Sequence, residues 1–201
     1  MVDMTTAELI KFWKEFTINL PTKGPFVHPK DNMQHVKKDA ADLSDYEYLS
    51  GVGLRPRLLP GPYQGDLENA KLVICMLNPG VGLESLEEQR NKSFRRQLIK
   101  QIEQDFIYTE FKFLGLDPNF CWTGGFKWWT RKFSLLTKTV EENGRLPSRT
   151  DALKKIADSV AAIELFAYPS KNFRNSKDLD IMSSKNIKSW AQQNSKIENK
   201  H

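Results

Sequence analysis

The sequence predicts an α/β protein, a three-layer α/β/α arrangement around a small parallel central sheet. Three observations carry this. Residues 71–82, KLVICMLNPGVG, hold a continuous apolar run that stops at Asn78-Pro79-Gly80. A second apolar run at 161–168, AAIELFAY, stops at Pro169. The segments between the two runs have helical rather than alternating periodicity. Strands separated by helices pair in parallel, because a crossover is long enough to return the chain to the same sheet end. The expected organisation is one α/β domain over 1–175 with an N-terminal helical extension, followed by a basic, partly disordered tail over 176–201.

Each element has its own signal. Residues 5–16 read as an amphipathic helix, with Thr5 and Glu8 at capping-box spacing and Leu9, Phe12, Trp13 and Phe16 on one face. Residues 20–45 show little periodicity and read as loop. Residues 46–63 are rich in Gly and Pro, and Arg57 to Leu59 can form no more than a short edge strand between Pro56 and Pro60. The run Leu72 to Leu77 is apolar at every position, which suits a central strand covered on both faces. Pro79 cannot donate to a ladder and Gly80 permits a positive φ, so the strand ends there. Residues 85–106 read as one long helix, with Ser85 and Glu88 at capping-box spacing and Leu86, Phe94, Leu98, Ile102 and Phe106 forming a stripe. Residues 126–142 read as a second helix ended by Asn143-Gly144, and 148–160 as a third.

Bulk properties bound the function class. The chain has 201 residues, 39% hydrophobic and 27% charged, which suits a folded domain. No apolar run reaches the roughly 20 residues of a membrane span, and the N-terminus has no apolar signal core, so a cytoplasmic protein without a membrane partner is expected. Cys75 and Cys121 lie among apolar neighbours, which predicts buried free thiols. The net charge of +5 is concentrated at the end: residues 171–201 hold seven Lys and Arg against three Asp and Glu. The remaining 23 bases and 22 acids nearly balance, so bulk charge gives no argument for nucleic acid.

In open α/β sheets, ligands bind at the carboxyl ends of the strands. Both predicted strands end there in candidate turns. Asn78 presents an amide that both donates and accepts, beside backbone made approachable by Gly80 and Gly82. The start of the following helix favours an anion. At the second turn Tyr168 can stack on a planar ligand, Ser170 can bond a phosphate oxygen, and Asn172, Lys171 and Arg174 follow. Asn-Pro-Gly and Tyr-Pro-Ser are also ordinary turns. Trp122, Trp128 and Trp129 surround Gly124-Gly125; Trp129 reads as core, and Trp128 as a candidate pocket lining. His28 and His35 have no matching cysteine cluster, so no metal site and no cofactor are expected. Glu87-Glu88 and Glu141-Glu142 read as exposed pairs without a catalytic role. No Walker or dinucleotide glycine pattern is present.

The strand and turn Met76-Leu77-Asn78-Pro79-Gly80 resembles the first motif of the uracil-DNA glycosylase superfamily, closest to its mismatch-specific branch, where the motif reads Gly-Ile-Asn-Pro-Gly. ELFAYPSKNFRN resembles the middle strand of the iron–sulfur-type branch. The resemblance spans residues 61–175 and implies a parallel-sheet α/β/α fold, a DNA or nucleotide ligand, and hydrolysis of the N-glycosidic bond of a flipped base. It implies that Asn78 positions the attacking water, and that Pro79 and Gly80 shape the base pocket. Three departures accompany it. Met76 stands where the family has a glycine, the chain has two cysteines rather than four, and Tyr168-Pro169-Ser170 follows the earlier strand rather than a later one. The chain therefore reads as a relative lacking the C-terminal part, whose sheet edge is open to a partner or to a second copy in a homodimer. The rival reading is a non-catalytic interaction protein.

Overall fold

The computed structural model describes residues 5–31, 44–50 and 54–171. Its architectural centre is the second apolar run. Val160, Ala161, Ala162, Ile163 and Glu164 form a strand with every residue buried. Alternate residues of a strand point to opposite faces, and the two faces build two cores. Ala161 and Ile163 join Leu9, Phe12, Trp13, Phe16, Ile102 and Tyr168 in one cluster. Val160 and Ala162 join Phe113, Leu116, Trp129, Phe133, Leu153 and Ile156 in the other. The two alanines let apolar side chains approach the strand closely on both sides.

The elements in chain order are α1 (Thr6–Ile18), α2 (Asp45–Ser50), β1 (Tyr63–Gln64), β2 (Leu72–Met76), α3 (Ser85–Arg90), α4 (Lys92–Glu103), α5 (Gly124–Lys132), α6 (Ser134–Gly144), α7 (Arg149–Ala157) and β3 (Val160–Glu164). Two 3-10 turns, Leu114–Leu116 and Pro118–Phe120, precede α5. The sheet order is β1-β3-β2. β2 and β3 are parallel over five residue pairs from Leu72↔Val160 to Met76↔Glu164. β1 pairs with β3 antiparallel through Tyr63↔Ile163 and Gln64↔Ala162. The molecule is thus a small α/β fold, as expected, but its sheet is mixed rather than wholly parallel.

The largest correction concerns β2. Its continuous apolar run predicts a covered central strand, yet β2 is the outer strand and β3 is central. Leu72 and Leu77 are each 50% exposed and Val73 39%. Hydrophobicity on both faces is a property of the side chains; whether a neighbour covers them depends on strand order. Cys75 is accordingly exposed rather than buried; Cys121, after the second 3-10 turn, is exposed as well, and neither forms a disulfide.

Helix α1 follows its pattern closely. Thr5 caps it, accepting from Glu8 N at 3.3 Å while Glu8 Oε2 accepts from Thr5 N at 2.7 Å. Its apolar face supplies Trp13 and Phe16 to the core, so this helix is integral to the domain. The predicted long helix over 85–106 is broken at Asn91, whose backbone is extended and whose side chain accepts from Phe94 N at 3.0 Å to cap α4. The Ser85–Glu88 capping box does not form. Glu84 holds the N-cap position, and Ser85 Oγ accepts from Gly82 N at 2.9 Å. The predicted helix over 126–142 is likewise split at Phe133, which leaves helical geometry at φ −92° and ψ 10°. The second strand ends earlier than its apolar run, although Leu165 N and Phe166 N still donate to Met76 O and Leu77 O at 2.9 Å. The segment of Arg57 to Leu59 is not a strand; the third strand is instead Tyr63–Gln64. No helix among the described residues is long and apolar enough to cross a membrane.

Candidate functional site

The parallel pair brings its two carboxyl-end turns together. Asn78 stands two residues beyond the last residue of β2. Its Nδ2 donates to Ser170 Oγ at 2.9 Å, to Pro79 O at 2.9 Å and to Ser170 O at 3.3 Å. Ser170 N donates to Pro79 O at 3.0 Å, closing the junction from the other side. Ser170 itself is buried, and its backbone also bridges to Leu54. Asn78 is half-buried, and no donor among the described residues reaches its Oδ1. The amide is oriented by the bonds on its nitrogen side, and its oxygen is left as an acceptor.

Pro79 is half-buried, with its ring beside Gly61: a Cβ added at Gly61 would lie 3.4 Å from Pro79 Cγ. Gly80 is exposed, and a Cβ added there would meet nothing within 4 Å. Gly82 is tighter. A Cβ there would come within 2.7 Å of the Glu84 carboxyl group, and one at Gly124 within 2.8 Å of Glu84 Oε1. Gly124 N also donates to Glu88 Oε1 at 2.6 Å. Two glycines far apart in sequence therefore flank one pair of carboxylates, which joins the turn after β2 to the start of α5.

Glu88 corrects the expectation of an exposed pair: its side chain is buried, while that of Glu87 is exposed. Burial raises its carboxyl pKa, and the nearby charge of Glu84 adds to the shift. Sequence pattern passes over Glu84 and places Glu88 on an exposed face, because neither interrupts an apolar run. Glu164 is different: it is the one acid inside AAIELFAY, and that interruption is a signal a sequence can show. In the structure Glu164 is 9% exposed, and its Oε2 is enclosed without a hydrogen-bond partner. Burial pushes its carboxyl up to about 8.

Two other expected site residues occupy different settings. Tyr168 is fully buried, so its ring has no face left for a ligand. Its OH donates to Asp31 Oδ2 at 2.5 Å and accepts from His28 N at 3.0 Å, and its ring packs edge-on against Trp13. It is a core residue whose hydroxyl is satisfied locally. Trp128 is half-buried and packs edge-on against Trp129 with centroids 4.6 Å apart, while Lys132 lies over its ring at 5.4 Å. Trp128 and Met76 pack against the same cluster, the one containing Trp129. Asn172, Arg174, His35 and the 176–201 tail lie outside the described residues. No group of three or more metal-ligating side chains occurs among the described residues.

His28 is an internal histidine rather than a ligand-facing one. Its ring stacks on Phe12 at 3.7 Å, its Nε2 lies 2.8 Å from Phe12 O, and its Nδ1 accepts from Lys30 N at 3.1 Å. These contacts fit the neutral tautomer with the proton on Nε2, and burial lowers its pKa. A surface depression of about 390 Å³ lies along α1, lined by Ile10, Lys14 and Ile18, and not at the strand ends.

No family model matches the chain, and neither a curated protein nor a solved structure is significantly similar to it.

Proposed function

We propose that the carboxyl end of the β2/β3 pair is a binding site for a nucleotide or a flipped nucleobase in DNA, and that the protein acts as a glycosylase-like hydrolase or binder there. The observation that supports this reading is the Asn78–Ser170 junction, which orients the Asn78 amide and leaves Oδ1 as an acceptor at a strand end. Oδ1 accepts a hydrogen bond from water and directs it toward the sugar–base bond. A neutral amide is a weak base, so the rate depends on stabilising the departing base electrostatically. The resemblance of Met76-Leu77-Asn78-Pro79-Gly80 to the glycosylase motif supports the same assignment.

The test uses labelled duplexes containing a G·U or G·T mismatch, with cleavage and binding measured for wild type and Asn78→Ala. The expected result is a loss of at least about tenfold in affinity or rate, the size of one hydrogen bond to a charged or developing-charge group. Equal behaviour of the two proteins removes Asn78 from the site. Absence of both binding and cleavage in wild type removes the assignment.

A second reading is favoured by the position of β2. We propose it as an interaction edge, because an outer strand with Leu72, Val73 and Leu77 exposed invites pairing by another strand. A second copy pairing antiparallel through β2 would extend the sheet into a homodimer. Sedimentation of wild type should then show concentration-dependent dimers, weakened by Val73→Lys, which sets a charge on the exposed face. A wild type that stays monomeric across the concentration range counts against this edge pairing.

A further inference from the structure

We infer that Glu164 is a ligand-reading residue, which as the neutral acid donates a hydrogen bond to an acceptor atom of whatever occupies the carboxyl end of the β2/β3 pair. This rests on the site proposed above and names the chemistry its occupant must present.

Position comes first. Glu164 is the last residue of the central strand and pairs in register with Met76, two residues before Asn78. Leu165 N and Phe166 N then bond to Met76 O and Leu77 O, so the two chains stay together past the strand end. Glu164 projects on the same face as Val160 and Ala162, the face that packs with Trp129 and is shared by Met76 and Trp128. Its backbone N donates to Pro62 O at 2.9 Å, which holds the residue from the β1 side.

Unfulfilled bonding comes second. A side chain nine-tenths buried with a carboxyl oxygen that has no partner is uncommon in a folded protein. No Lys, Arg or His among the described residues pairs with Glu164, and no second carboxylate shifts it; burial alone accounts for its elevated pKa. The group is therefore mostly protonated at neutral pH, and a protonated carboxyl carries one O–H donor. A ligand acceptor placed against Oε2 would supply the partner that the protein does not. Asn78 Oδ1 is complementary, since it lacks a donor. An occupant of the proposed site would therefore present an acceptor to Glu164 and a donor to Asn78 Oδ1, a pair of groups that the amide edge of a planar heterocycle carries.

The experiment measures binding of a labelled G·U mismatch duplex between pH 6 and 10 for wild type, Glu164→Gln, Glu164→Leu and Asn78→Ala, with folding checked by circular dichroism at each pH. Glutamine keeps a donor that does not titrate. The expected result is wild-type affinity that falls about tenfold per unit above the titration of Glu164, a flat profile for Glu164→Gln, and for Glu164→Leu a flat profile lying about tenfold below the wild-type affinity at pH 6. If wild type and Glu164→Gln lose affinity in parallel, the inference is overturned, while a weakened Asn78→Ala leaves the site itself standing. If wild type fails to bind at all, the site and the inference fall together.

Discussion

Substituting Gly65 by alanine should destabilise the protein by about 3 to 5 kcal/mol, the combined effect of a positive-φ backbone and a contact that cannot relax. Gly65 has φ +83°. An added Cβ would lie 2.4 Å from Val160 O and 3.0 Å from Ala161 Cα, and both atoms belong to the backbone of the central strand. Neither can move without disturbing β3. The residue is also clamped by α4: Gly65 N donates to Gln101 Oε1 at 2.7 Å, and Gln104 Nε2 donates to Gly65 O at 2.9 Å. Chemical denaturation of Gly65→Ala against wild type checks this. Gly125→Ala is the matched control, because nothing lies within 4 Å of its added Cβ inside α5. It should be neutral or stabilising by up to about 1 kcal/mol. Equal stability of the two variants would show that β1 and β3 can separate freely at this point.

The second large effect is on the pH dependence of stability. Glu164 has its folded-state carboxyl raised to about 8 from an ordinary value of 4.5. Between those values the folded protein keeps a proton that the unfolded chain has released. Stability at this group is therefore full below about pH 4.5, falls as pH rises, and reaches its minimum above about pH 8. Glu164→Gln removes that titration. It should match wild type near pH 5 and exceed it by roughly 2 to 4 kcal/mol at pH 9, less than the full shift because water can relax into the site. His28 acts in the opposite sense. Its pKa is lowered, so its contribution is present above its unfolded value near 6.5 and lost as pH falls through the folded one. The two contributions therefore oppose each other where their windows overlap below about pH 6.5, and from there to about pH 8 only the Glu164 loss acts. Denaturation midpoints from pH 5 to 9 for both proteins test this. A constant difference between wild type and Glu164→Gln would mean that Glu164 ionises normally in the fold.

The two experiments probe the same strand from opposite ends. Gly65 lies against the start of β3 at Val160 and Ala161, and Glu164 ends it. The start tolerates no added atom, and the end buries a group that costs stability when charged. The same ionisation of Glu164 sets both the stability profile and the binding profile proposed for it, so the two profiles check one another.

Much of the fold was legible in the residues alone. The apolar faces of α1 and β3, the Thr5 cap, and the proline stops after both runs are local features. Local features survive folding when no distant group competes for the same atoms. The two long helices failed for the same local reason in reverse. A hydrophobic stripe continues across Asn91 and Phe133, but the backbone there leaves helical geometry, and periodicity of side chains carries no information about that.

The candidate site divides in the same way. Asn78 and Ser170 were legible because each ends an apolar run at a turn, and the parallel pairing of those runs puts their ends together. Tyr168 was misread because its place in the core depends on Trp13, His28 and Asp31, all distant in sequence. Glu84 lies beside Gly82 through local chain geometry, but Glu84 and Glu88 meet Gly124 only through tertiary packing.

The sequence by itself determined that residues 71–82 form a strand ending in a turn, because an apolar run and a proline act on their own backbone. Tertiary structure decided that this strand lies at the edge while β3 takes the centre, that Asn78 is oriented by Ser170, and that Glu164 is buried without a partner. Strand order, burial and hydrogen-bond partners are set by which distant segments arrive beside a residue, and no residue's own chemistry specifies its neighbours.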